Sequence, residues 1–204
     1  MDPNKAAKMF VAWQKWRASF VPLGFVPDSE ILEQLKDEKV FFLGASKSGY
    51  PVVLLNANKH VPAKDLQIFK KLVVYMFDKG IASGIRGKEI GNEKFIMVMD
   101  MQKLGYKNVD ANGFISAFQI LQTYYPQRLV KLYILNMPWF FKSVWKMISY
   151  AIEKDTVNKI MIVSSEKERQ QVITEVGVEV LPKELGGIGK PVPLQDVELP
   201  RLEC

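Results

Sequence analysis

Apolar positions along this chain repeat with two different periods, and the switching between them predicts an α/β architecture. Ala6, Met9, Phe10, Trp13, Trp16 and Phe20 recur at helical spacing opposite Lys5, Lys8 and Arg17, which marks an amphipathic helix. Asp2-Pro3 opens it with a capping carboxylate and a first-turn proline. A second short helix is expected after Asp28, burying Ile31, Leu32 and Leu35. The apolar runs 40–43 and 52–55 flank a turn containing Gly and Ser, the pattern of a β-hairpin. Over 62–79 the spacing of Leu66, Phe69, Val73, Met76 and Phe77 predicts a long helix that ends at Gly80.

Three later runs, 95–99, 132–135 and 160–163, are apolar almost without interruption, and helical patterns over 111–124 and 139–152 separate them. Strands of that kind between helices belong to a largely parallel sheet covered on both faces. Another helix follows Ser164, and the chain from Gly186 onward is rich in Gly and Pro. No repeat, low-complexity tract or linker is visible, so one domain is the economical reading.

Composition narrows the class. With 204 residues, 48% of them hydrophobic and 25% charged, the chain has ample material for one core. No apolar run reaches the roughly 18 residues of a membrane span. The most hydrophobic stretch, 129–152, is broken by Lys131, Pro138, Lys142 and Lys146. The N-terminus reads as a capped helix without a secretory signal. Cys204, the single cysteine, excludes an internal disulfide framework and fits a reducing compartment. A formal charge of +6 favours acidic surfaces, either membrane lipid or nucleic acid. Nucleic acid is disfavoured, since basic and aromatic residues do not interleave as in a recognition module.

Candidate chemistry is sparse. With only His60, a histidine-based metal cluster is implausible, and a lone loop histidine reads as exposed or hydrogen-bonded. No Gly-x-Ser-x-Gly elbow exists to present a serine nucleophile. Gly186-Gly187-Ile188-Gly189-Lys190 fails as a phosphate loop, because Pro191 stands where Ser or Thr would bind magnesium. Gly44 to Gly49 supplies turn conformations and no dinucleotide fingerprint. Asp100, just past its strand, reads as a carboxylate bonding the loop toward Gly105. The expectation is therefore no enzyme, no catalytic residue, no metal and no cofactor.

One segment asks for more. After Asn136 the chain runs Met137-Pro138-Trp139-Phe140-Phe141-Lys142-Ser143-Val144-Trp145-Lys146-Met147-Ile148, with Pro138 placed to open a helix. At about 100° per residue, Phe140, Phe141, Val144, Met147, Ile148, Ala151 and Ile152 share one face, while Lys142, Lys146, Ser149 and Glu153 take the other. Two readings stay open on periodicity alone. One is a surface helix covering the sheet; the other is a lid whose apolar face meets a ligand and whose lysines face anionic head groups.

Several separated motifs now point one way. Tyr124-Tyr125-Pro126-Gln127-Arg128-Leu129, then Lys131-Leu132-Tyr133-Ile134-Leu135-Asn136-Met137-Pro138-Trp139, resembles the most diagnostic stretch of the CRAL-TRIO (Sec14-like) lipid-binding family. Residues 6–17 resemble the helix preceding the lipid domain. Gly49-Tyr50-Pro51-Val52 is similar to a Gly-Arg-Pro-Val turn, and Leu181-Pro182 with Gly186-Gly187 to the closing LP-x-x-x-GG.

The resemblance implies a three-layer α/β/α sandwich with a mostly parallel sheet, a hydrophobic lipid pocket and a helical gate. It divides the chain into N-terminal helices (1–37), the lipid-binding domain (38–190) and a C-terminal tail (191–204). It implies a monomer that binds a phospholipid or other amphiphile, touches anionic membranes transiently and resides in the cytoplasm. Phosphatidylinositol is the favoured cargo, with transfer between membranes or presentation as its use. Thr156 and Lys159 fall where family members hold an inositol phosphate, and Gln127 replaces the usual glutamate there. Phe95, Met97 and Leu121 stand where phosphatidylcholine-transferring members present hydroxyls, which disfavours that lipid because burying an unbonded choline phosphate costs several kcal/mol. They are expected in the pocket, with Phe140, Phe141, Val144, Met147 and Ile148 on the gate. The basic LRAR segment upstream in the family is missing, so the chain reads as a fragment, a shortened form, or one that dispenses with it. Bulky Phe95 and Met97 also admit an alternative: an interaction scaffold whose pocket is filled by side chains.

Overall fold

A computed structural model describes residues 3–84 and 93–199. The expected cap at Asp2 and the cysteine at 204 lie outside them. Helix α1 (Pro3–Phe20) leads to a 3-10 turn (Asp28–Glu30) and a one-turn helix α2 (Leu32–Leu35). Ile31 and Leu35 are buried there as expected, but Leu32 is exposed, because so short a helix covers only one side.

Strands β1 (Val40–Ala45) and β2 (Pro51–Asn56) form the antiparallel hairpin read from the sequence. A bulge between Phe42 and Gly44 bends it, and Gly44 takes the positive φ that favours glycine. Helix α3 spans Leu66–Ala82, shorter at its start and longer at its end than the pattern implied. Asp65 caps it by accepting the Gln67 amide at 2.7 Å, and the helix runs past Gly80. A Cβ on Gly80 would lie 2.8 Å from Val53 Cγ2, so this glycine serves close helix–strand approach.

Strands β3 (Phe95–Asp100), β4 (Leu129–Leu135) and β5 (Ile160–Ile162) follow, with α4 (Ala111–Tyr124), α5 (Phe141–Tyr150) and α6 (Lys154–Val157) between them. Helix α7 (Glu166–Val176) and strand β6 (Val192–Pro193) complete the order. The sheet runs β5-β4-β3-β2-β1-β6, parallel from β2 to β5. Strand β6 comes from the stretch assigned to a tail, pairs with β1 and delivers Leu194 to the core. A two-residue strand has no periodicity to read, and Pro193 is tolerated because β6 is an edge.

Because the parallel strands follow one another in the same direction, right-handed crossovers put α3, α4 and α5 on one face of the sheet. Val53, Phe95, Met97, Met99, Leu132 and Ile134 point there, into the larger core. Val52, Leu54, Ile96, Val98 and Tyr133 point to the other face, which Val172 and Val176 of α7 cover with Val180, Leu181 and Leu185. The three layers are complete. Among the described residues no helix is long and apolar enough to cross a membrane.

Candidate functional site

A cavity of about 80 Å³ lies in the larger core, between the sheet and helices α3 and α4. Phe95, Met97 and Leu121, the residues expected in a pocket, all line it. Phe95 and Leu129 border it at the amino ends of β3 and β4, and Met99 at the carboxyl end of β3. The cavity therefore follows the strands for about 13 Å at 3.3 Å per residue. Its volume is far below the roughly 300–1,000 Å³ of pockets that enclose whole ligands. In this conformation a lipid enters only if the walls part.

The walls are apolar except at one corner. Lys39, His60 and Asn108 line the cavity there, exposed by only 2%, 8% and 3%. Lys39 Nζ donates to Gln34 Oε1 at 2.6 Å and lies 3.7 Å from Asp37. Burial lowers its pKa, while Asp37 opposes that shift. His60 Nε2 meets Asp110 Oδ2 at 3.1 Å, and burial lowers the imidazole pKa against the pull of that carboxylate. Asn108 donates through Nδ2 to the carbonyls of Asn58 and His60 and accepts the Gly105 amide. The corner was invisible in the sequence: Lys39 stands just before β1, and Asp110 is 50 residues from His60. A reading of His60 as hydrogen-bonded fits, but it is buried in the wall.

The gate segment differs from its expected geometry. Phe141 and Ile148 are fully buried and Val144 is half-buried, but none of the five expected gate residues lines the cavity. Helix α4 intervenes: Phe114 and Phe118 line the cavity and bear, on their other side, on Phe141 and Trp145 of α5. Trp145 turns inward, whereas Met147, expected on the inner face, is exposed. The helix begins only at Phe141, so the buried stripe is 141, 144, 145 and 148. Phe140 packs against Tyr106 at 4.4 Å between ring centroids, beside a solvent-exposed Trp139.

The expected head-group residues gather at the opposite edge of the sheet from Lys39. Gln127 precedes β4, and Lys159 precedes β5; Lys159 Nζ donates to Gln127 Oε1 at 3.0 Å. Gln127 is exposed in a left-handed backbone conformation, and Thr156 lies in the single turn of α6. The other members of that motif are structural. Tyr125 donates to Asp78 at 2.7 Å, Arg17 bonds the same carboxylate at 2.6 Å, and Arg128 pairs with Glu93. Burial and the Asp78 carboxylate push the Tyr125 pKa upward, so the phenol stays a donor. Asp100 accepts from the Gln102 amide and from Asn136 Nδ2, which fixes the loop as its sequence position suggested.

Known proteins share this fold. The family model of the CRAL/TRIO domain matches residues 35–187. The chain is 32% identical over 92 residues to the Sec14 cytosolic factor of Schizosaccharomyces pombe, covering 44% of this chain and 32% of that protein. It is 25% identical over 206 residues to a phosphatidylinositol/phosphatidylcholine transfer protein of Arabidopsis thaliana, covering 92% of this chain and 37% of the relative. The chain thus spans well under half the length of either. The crystal structure of Sfh5 is similar in fold, with a TM-score of 0.64 at 18% identity over 79% of this chain and 61% of that one.

Proposed function

The chain belongs to the CRAL/TRIO domain family, and from that premise we propose that it binds a lipid in the apolar cavity and transfers or presents it at a membrane, without covalent chemistry. The observation that carries this reading is the cavity itself, apolar along the strands and walled by Met76, Met97 and Met99. Methionine side chains are unbranched and adaptable, so such walls yield more easily than β-branched ones. The relatives named for phospholipid transfer support the class of cargo.

Phosphatidylinositol is the finer proposal. Its support is the pairing of Lys159 with Gln127 near Thr156, an ammonium and two polar side chains at one edge. The apolar Phe95, Met97 and Leu121 offer no hydrogen bond to a choline phosphate, which argues against phosphatidylcholine. Exposed Trp139 and Tyr106, close to Phe140 and Lys142, form a surface suited to a transient anionic membrane.

Native mass spectrometry of the purified chain should show retained lipid, and a fluorescent phosphatidylinositol should move between vesicles. Lys159→Ala should weaken phosphatidylinositol transfer selectively; an equal loss for every lipid would remove the head-group role. A cavity of about 80 Å³ favours a second reading, a scaffold whose pocket is closed by its own side chains. Absence of both retained lipid and transfer would select that reading.

A further inference from the structure

We propose that the buried corner of the cavity is a carboxylate site, and that the cavity takes a single-chain fatty acid with its head between Lys39 and His60. The inference rests on the lipid-binding reading above and names a ligand class for the same cavity. Lys39 and His60, with Asn108, are the polar residues bordering a space that is otherwise walled by apolar side chains, and both are buried. Of the three Lys39 donors, one meets Gln34 and one leans toward Asp37; no oxygen among the described residues meets the third. His60 engages Asp110 through Nε2, and its Nδ1 has no partner among the described residues. Buried polar groups seek hydrogen-bond partners, so an ammonium with a donor to spare and a ring nitrogen beside it suit an acidic ligand group at that corner.

A carboxyl group fits that pair. Nε2 carries its proton toward Asp110, so the neutral ring presents Nδ1 as an acceptor. A fatty acid entering protonated gives its proton to Nδ1; entering as carboxylate, it draws a proton there from water. Both routes end with one carboxylate between the Lys39 ammonium and a His60 imidazolium, the latter balanced by Asp110. Asp37 remains half-exposed beside Lys39 and is screened by solvent. The chain of the ligand then lies along the strands toward Phe95 and Leu129. A cavity this small and slender opens more readily for one alkyl chain than for the two of a phospholipid. Lys39 and His60 lie at the carboxyl ends of the parallel strands, opposite Lys159, so the site is separate from the proposed inositol contacts.

The test uses the full chain, with isothermal titration of palmitate and of hexadecanol, which has the same chain without the acid. Palmitate should bind at least tenfold more tightly than hexadecanol, and Lys39→Met should lower palmitate affinity at least tenfold more than hexadecanol affinity. Equal affinities, or equal losses, would overturn the carboxylate site. Should Lys39→Met fail to fold, carboxyl-labelled palmitate on the unaltered chain decides by carbon-13 NMR. Its bound resonance should stay that of the carboxylate to lower pH than for free palmitate in detergent; titration at or above the free value would overturn the proposal. Phosphatidylinositol transfer without palmitate binding would remove the carboxylate site and keep the lipid-carrier reading. Failure of every lipid would remove both.

Discussion

His60 shows at the level of one residue how burial becomes pH dependence. Its folded pKa lies below the usual 6.5, first because burial disfavours the imidazolium, and only in part offset by Asp110. Below pH 6.5 the unfolded chain takes up a proton that the folded chain resists, so this residue's contribution is full above 6.5 and is lost as pH falls toward the folded value. Urea unfolding of the ligand-free protein should therefore show the stability advantage of the native chain over His60→Gln shrinking between pH 7.5 and 5. A difference that does not vary with pH would mean an unshifted imidazole. Glycines speak at the same scale. A Cβ on Gly187 would stand 2.0 Å from the Leu181 carbonyl oxygen, and Gly186 has φ +92°, so the paired glycines near the end of the domain are backbone requirements. The sequence showed them as a motif; the reason for them is a close approach that only coordinates reveal.

Among the elements, α5 and α7 contrast. Helix α7 starts with a capping box in which Ser165 Oγ accepts the Glu168 amide and Glu168 accepts from the Ser164 and Ser165 amides and hydroxyls. Those bonds, the Ser164 amide foremost, hold the Glu168 pKa at about 2. The box is intact above the ordinary glutamate range near 4.5 and weakens as pH falls toward 2. Ser165→Ala should cost about 1 kcal/mol of unfolding free energy. Helix α5 is legible as amphipathic, and Phe141, Val144 and Ile148 turn inward, whereas Met147 is exposed. Periodicity gives a stripe about 100° wide, and Met147 and Trp145 sit on its two borders. Tertiary packing decides between them, because Trp145 finds Phe118. Phe141→Ala should lower stability by about 3–5 kcal/mol, since the ring is buried in the core. Trp139→Ala, at an exposed ring, should change stability by no more than about 0.5 kcal/mol while reducing binding to anionic vesicles several-fold. Co-sedimentation with such vesicles checks the second part, and undiminished binding would move the membrane contact elsewhere.

The whole molecule closes around elements that a local pattern does not connect. Leu194, from the stretch read as a tail, is 1% exposed in the larger core, and Leu194→Ala should cost about 2–5 kcal/mol in a denaturant melt. The sequence alone determined the strands β1 to β5, helices α3, α4 and α5 between them and the α/β class, because the period of hydrophobic burial is a local property of each segment. It also determined the family, since ordered motifs are local as well. The tertiary structure alone decided that α4 stands between α5 and the cavity, that β6 closes the far edge, and that Lys39 and His60 line the same cavity. Each of those facts depends on groups brought together from distant parts of the chain, and no periodicity records a contact made across such a separation.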